Sequence, residues 1–180
     1  MEALENIRTR RSIRKFTDEP VDHATLEKIV EAASWSPSWK NTQIVRYIAI
    51  EDPALKAKIA KECTTGFTYN ARTMESAPML IAVTVIKGRC GFEKDGSFTT
   101  NRKDTWQMFD AGIASQTFCL AAHEYGLGTV IMGIFDDGLS AHLQIPEDRE
   151  LVCLVCLGYP AVAPEAPKRK SVEELVTFAE

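Results

Sequence analysis

The run Met79–Ile86, Met-Leu-Ile-Ala-Val-Thr-Val-Ile, most restricts what this chain can become, because such an apolar, β-branched stretch reads as a central strand. A second run, Leu-Val-Cys-Leu-Val-Cys-Leu at 151–157, has the same character and follows Pro146. Shorter strands are expected at 45–50 and at 129–135, the latter opening after Gly126 ends a helix in the left-handed region. Leu26, Ile29, Val30 and Ala33 recur at helical spacing behind Asp22, a capping residue, and Leu55, Ile59 and Ala60 do so behind Pro53. Further helices are expected at 2–10 and 136–143. Residues 104–125 are apolar nearly all round, which predicts a helix buried on more than one side and suggests a subunit interface. Strands and helices intermix without a strict βαβ beat, so the expected class is an α+β sandwich with a single domain over 1–180.

The 45% hydrophobic content supplies one core, and a net charge of −4 gives no global reason to expect a polyanionic partner or a lipid surface. The first residues lack a secretion signal and no apolar stretch is long enough to cross a bilayer, so a cytoplasmic location is expected. Five scattered cysteines suit free thiols. Cys153 and Cys156 form a C-x-x-C, but in a strand residues three apart face opposite ways, so neither a redox pair nor a shared metal is expected. His23, His123 and His142 have no second ligand at useful spacing and read as surface or capping residues.

Several segments between elements carry polar chemistry. In an extended stretch, Arg10, Ser12 and Arg14 point the same way and could converge on one anion, a phosphate monoester being a natural guest. Spacing alone leaves a solvated basic turn or a nucleic-acid patch open, although no stacking platform accompanies the cluster. Lys168, Arg169 and Lys170, beyond the Pro-rich stretch 160–167, could form a second arm around the same anion, and so extended a tail could reach a neighbouring subunit. The loop 36–43, Ser-Pro-Ser-Trp-Lys-Asn-Thr-Gln, offers amide and hydroxyl groups suited to a polar heterocycle; Trp35 and Trp39 also read as core anchors. Gly126, Gly128 and Gly133 follow a helix and break the G-x-G-x-x-G pattern at Ile131, which excludes a dinucleotide fold. Gly133, expected within a strand, either admits a flat ligand to the backbone or marks a bulge. Residues 66–70 read as a linker, and 87–103, with three glycines and two phenylalanines, as a mobile surface loop and candidate lid.

Four of these features, in this order, resemble the FMN-dependent nitroreductases: Arg-Arg-Ser-Ile-Arg-Lys-Phe at 10–16, Ser-Pro-Ser-x-x-Asn-x-Gln at 36–43, Gly-Leu-Gly-x-x-x-x-Gly at 126–133, and a basic tail. The resemblance implies a central, mostly antiparallel sheet flanked by helices and an intertwined homodimer with two FMN sites built from both chains. It implies that Arg10, Arg11, Ser12 and Arg14 hold the phosphate and ribityl chain and reach the pyrimidine end. Pro37, Ser38, Asn41 and Gln43 would come from the partner subunit. Asn70 would touch the pyrimidine edge, Met132 and Gly133 would face the redox-active nitrogen, and Lys168 and Arg169 would close on the phosphate. Arg14 would favour the reduced, negatively charged ring. No catalytic side chain and no metal are implied.

The sequence departs from the family pattern at Ile44-Val45, where Gln-Pro-Trp is frequent, and at Thr73, where some members carry lysine. These departures bear on the reduction potential and the choice of acceptor. There is no ferredoxin-like cysteine motif, so NAD(P)H or a separate donor is expected to supply electrons, in a ping-pong cycle serving a nitroaromatic, quinone, flavin or enone. A flavin-binding carrier or sensor without turnover is the alternative.

Overall fold

A computed structural model describes residues 1–136 and 138–179. Helix α1 is Ala3–Thr9, α2 His23–Ser34, α3 Pro53–Glu62, α4 Thr68–Ser76, α5 Thr105–Glu124 and α6 Gly138–His142; Asp137, within the helix expected at 136–143, lies outside the described residues. Strands β1 (Val45–Ile50), β2 (Met79–Ile86), β3 (Gly128–Met132) and β4 (Arg149–Gly158) form one sheet in the order β1-β2-β4-β3, every neighbouring pair antiparallel.

The two most apolar strands occupy the centre. Every residue of β2 is buried, because helices cover both faces of the sheet. On one face Leu80, Ala82, Val130, Met132, Leu154 and Cys156 meet Ile59 of α3, Met74 of α4 and Leu139 of α6. On the other, Ile81, Val83, Cys153, Val155 and Leu157 meet Ile29 of α2 and Phe118 and Ala122 of α5. Asp22 and Asp52 cap α2 and α3 by accepting the amides of Thr25 and Leu55. A register shift between Val83 and Thr84 bends the central pair.

Two expectations change. The stretch expected to be a linker at 66–70 runs into α4, a helix with modest apolar content that leans on α3 through Met74 and Ala77. Strand β3 ends at Met132, so Gly133 follows the strand instead of lying in it. Residues 87–103 fold on themselves: the Glu93 amide donates to the Ser97 carbonyl at 2.8 Å, the Thr99 amide to Gly91 at 2.9 Å, and the Phe92 and Phe98 rings lie 4.8 Å apart. Lys56 is buried and donates to the carbonyls of Ala77 and Pro78, joining α3 to the entry of β2.

The amino-terminal arm, residues 10–16, is stitched to the far edge of the sheet. The Ile13 amide donates to Thr129 at 2.9 Å, the Thr17 amide to Tyr159 and the Ala161 amide to Lys15. Two glycines make the seats: a Cβ on Gly128 would stand 2.7 Å from the Ile13 Cβ, and one on Gly158 would meet the Pro78 ring at 2.5 Å and the Phe16 ring at 3.0 Å. Gly128→Ala is therefore expected to cost about 1–3 kcal/mol in urea unfolding, through forced displacement of Ile13.

Cys153 and Cys156 lie on opposite faces, one in each core. Burial pushes their thiols up to about 11 and about 12 respectively. All five cysteines are buried and free. A disulfide-exchange reagent at pH 8 should find no fast-reacting thiol in the native protein and all five after denaturation.

Candidate functional site

The arm opens a cleft of about 450 Å³ against the start of β3 and the tail's first residues, lined by Arg10, Arg11, Ile13, His123, Thr129 and residues 160–164, among others. Burying Ile13 and Phe16 directs the intervening polar groups outward, so hydrophobic anchoring is what presents the cations. Arg10 and Arg11 line this cleft; Ser12 pairs with Thr129 beside it, and Arg14, exposed, turns a guanidinium N–H toward the Ser12 carbonyl at 3.4 Å. Of positions 10, 12 and 14, only Arg10 lines this cleft, with Arg11 beside it. Arg11 donates to the carbonyls of Arg8 and Arg10. Among the described residues, no carboxylate lies within salt-bridge range of Arg8, Arg10, Arg11 or Arg14.

His123, expected to be a surface or capping residue, lines this cleft and shares a hydrogen bond with the Thr9 hydroxyl at 3.0 Å. Its pKa is lowered by burial first and by the charges of Arg10 and Arg11 next, while Glu124 opposes them. Lys168 and Arg169 are exposed in the tail just beyond the segment that borders the cleft.

Asn70, in the first turn of α4, is buried to 9% exposure, and Met132 is also buried, whereas Gly133 is exposed with nothing within 4 Å of where a Cβ would stand. Its missing side chain therefore makes room for no neighbour in this chain, which removes the packing explanation and leaves an open stretch of backbone. Thr73 is buried and spends its hydroxyl on the Tyr69 carbonyl within α4.

The loop 36–43 lies elsewhere. It contains a 3-10 turn at Trp39–Asn41 and holds Lys40, Asn41 and Gln43 at φ of 45°, 55° and 47°, a left-handed conformation that strains each by about 1–3 kcal/mol. Pro37, Ser38 and Gln43 border a second, larger cleft of about 610 Å³ between α2, β1 and α5, while Asn41 points to solvent. Trp35 is 81% exposed, so it anchors no core; Trp39 is half-buried against Trp106, with ring centres 4.8 Å apart. Asp110 accepts the Trp39 amide on both oxygens at 3.1 and 3.0 Å. Sequence reasoning passed over Asp110, although it is the only charged residue in the largely apolar stretch 106–114 and so a visible signal.

The two halves do not meet within one chain. The arm pairs with β3 at one edge of the sheet and the loop leads into β1 at the other, three strand spacings or roughly 14 Å across, and about 20 Å apart along the strands.

The family model described as "Nitroreductase family" matches residues 7–159. The chain is 31% identical to an FMN reductase [NAD(P)H] of Bacillus subtilis over 99% of this chain and 74% of that one. It is 29% identical to an iodotyrosine deiodinase of Nematostella vectensis over 98% of this chain and 75% of that one. Among solved structures, a nitroreductase family protein from Clostridium novyi NT superposes with a TM-score of 0.76 at 28% identity, covering 93% of this chain and 89% of that one.

The charge balance in the arm's cleft is directly measurable. Arg10→Ala removes a cation that holds the His123 imidazole in its neutral form, so its pKa should rise, which NMR titration of the ring protons will read.

Proposed function

The chain belongs to the nitroreductase family, and we propose that it is an FMN-dependent oxidoreductase that passes electrons from NAD(P)H to an organic acceptor such as a nitroaromatic, quinone, flavin or enone. The reading takes residues 1–180 as one FMN-binding domain that works as a homodimer. The observation that carries it is the placement of the basic arm and the donor-rich loop at opposite edges of one sheet, since a second copy turned about a two-fold axis brings one of each together. Exposed apolar groups on touching helices supply a surface for that copy: Leu4 and Ile7 of α1, and Met108 and 58%-exposed Phe109 of α5, with Gly112 bare beside them.

The donor set fits FMN. Arginines with no carboxylate partner suit a phosphate dianion, and bare backbone at Gly133 suits a flat ring. Arg10, Arg11, Ser12 and Arg14 would hold the phosphate and ribityl chain, with Lys168 and Arg169 closing over it from the tail. Asn70 would meet the pyrimidine edge, and Met132 and Gly133 would lie against the ring. Pro37, Ser38, Asn41 and Gln43 would complete the site from the neighbouring protomer. When bound, FMN supplies the hydride chemistry, so no nucleophilic side chain is required. The chain's task is to bind, to orient and to place positive charge, Arg14 included, where negative charge grows. Donor and acceptor would use one opening in turn. Among the described residues no helix is long and apolar enough to cross a membrane.

Purified protein should be yellow, should be dimeric by light scattering and should oxidise NADH or NADPH when menadione is added, with parallel double-reciprocal lines. Colourless monomer that takes up no FMN in calorimetric titration would overturn the proposal, and intersecting lines would remove the shared opening. Arg10→Ala should weaken FMN binding at least about tenfold, the size of one lost hydrogen bond to a charged group. Trp39→Ala should reorder the acceptors; an unchanged ranking would take Trp39 out of acceptor choice.

A further inference from the structure

The geometry points to Asp110 as a positioning residue that sets the shape of the 36–43 loop and thereby its contacts with the neighbouring protomer's cofactor. The inference rests on the function proposed above, because that reading is what sends Ser38, Asn41 and Gln43 to the cofactor.

Asp110 sits in the second turn of α5 with 3% exposure, between apolar Phe109 and Ala111. A buried carboxylate is costly unless its oxygens are satisfied, and a helix that needed only packing would carry an apolar residue there. Both oxygens accept the Trp39 amide, at 3.1 and 3.0 Å, and Oδ2 also accepts the Cys90 thiol at 3.1 Å. Cys90 is fully buried, and burial followed by the carboxylate itself pushes its thiol up to about 12, so it stays protonated and keeps donating. One side chain therefore fixes two separate segments, the 36–43 loop and the 87–103 loop, to the same point of a rigid helix.

The loop needs such an anchor. Lys40, Asn41 and Gln43 hold left-handed backbone without being glycine, a state that persists only when the surroundings impose it. Trp39, whose amide Asp110 grips, stands between Ser38 and this strained stretch. Further ties run to the 87–103 loop and to α5, Lys40 Nζ to Glu93 at 2.9 Å and Trp39 on Trp106, while the Ser36 amide on Ala33 of α2 and the Arg46 guanidinium on the Gln43 carbonyl hold the loop's two ends. The Gln43 amide closes the turn on the Ser38 hydroxyl at 3.1 Å. Released from Asp110, the turn has no other hydrogen bond to α5 at Trp39, and its donors would swing relative to the interface.

The test uses the full chain as the FMN-loaded dimer, with three variants. FMN affinity is read by quenching of flavin fluorescence, the flavin's surroundings by its bound visible spectrum, and fold by thermal melting. Asp110→Asn should raise the FMN dissociation constant about tenfold and shift the bound spectrum. Cys90→Ala, which deletes a donor and leaves the carboxylate, should move both readouts the same way, and Cys90→Ser, which keeps a hydroxyl donor, should restore both. If Asp110→Asn does not fold, the two Cys90 variants decide. A lowered melting temperature with wild-type affinity and spectrum would show a purely structural role and overturn the inference. Wild-type protein that binds no FMN would overturn the proposed function and this inference with it; wild-type binding with Asp110→Asn and Cys90→Ala indistinguishable from it would overturn this inference alone.

Discussion

The pairing of β2 with β4 governs the rest of the molecule. Both strands are apolar on both faces, so both faces must be covered, and α2 with α5 on one side and α3, α4 and α6 on the other do so. A centre closed in this way leaves no room for polar chemistry, which is displaced to the two edges. The arm occupies the β3 edge and the polar loop the approach to β1. The width of the sheet that stabilises the chain is also the distance that keeps its donor groups apart.

Small residues settle how those edges are dressed. Gly128 leaves space that Ile13 fills and Gly158 space that Phe16 shares with Pro78, and two buried arm side chains plus a few main-chain hydrogen bonds convert an irregular arginine-rich segment into a fixed ledge. Gly133 differs, because its space is filled by nothing in the chain. One glycine spacing thus carries two meanings: Gly128 serves packing and Gly133 exposure.

Most of the architecture was legible in the sequence because hydrophobic period and caps act locally. Asp22 and Asp52 cap their helices, Gly126 ends α5 in the left-handed region with a φ of 78°, and both central strands fall where apolar runs place them. The failures have tertiary causes. Helix α4 owes its form to docking on α3 more than to periodicity, and the β3–β4 ladder ends at Met132–Leu154 although β4 itself continues to Arg149. In the site, the arginine cluster was legible, whereas the roles of His123 and Asp110 were not. Each acts through a neighbour distant in sequence, Arg10 and Trp39, and no spacing rule reports such a pair.

The cysteines, four of them split between the two cores and Cys90 in a smaller cluster with Ile44 and Val85, are all sealed from water, which has a practical consequence. Native cysteines usually must be stripped out before a fluorophore or spin label can be attached at one chosen point. Here they stay behind the sheet, so a single engineered thiol on the exposed tail beside Arg169 would be the preferred attachment point in an otherwise unaltered background. Distances from that label would trace the path of the tail in solution without disturbing the packing that holds the arm.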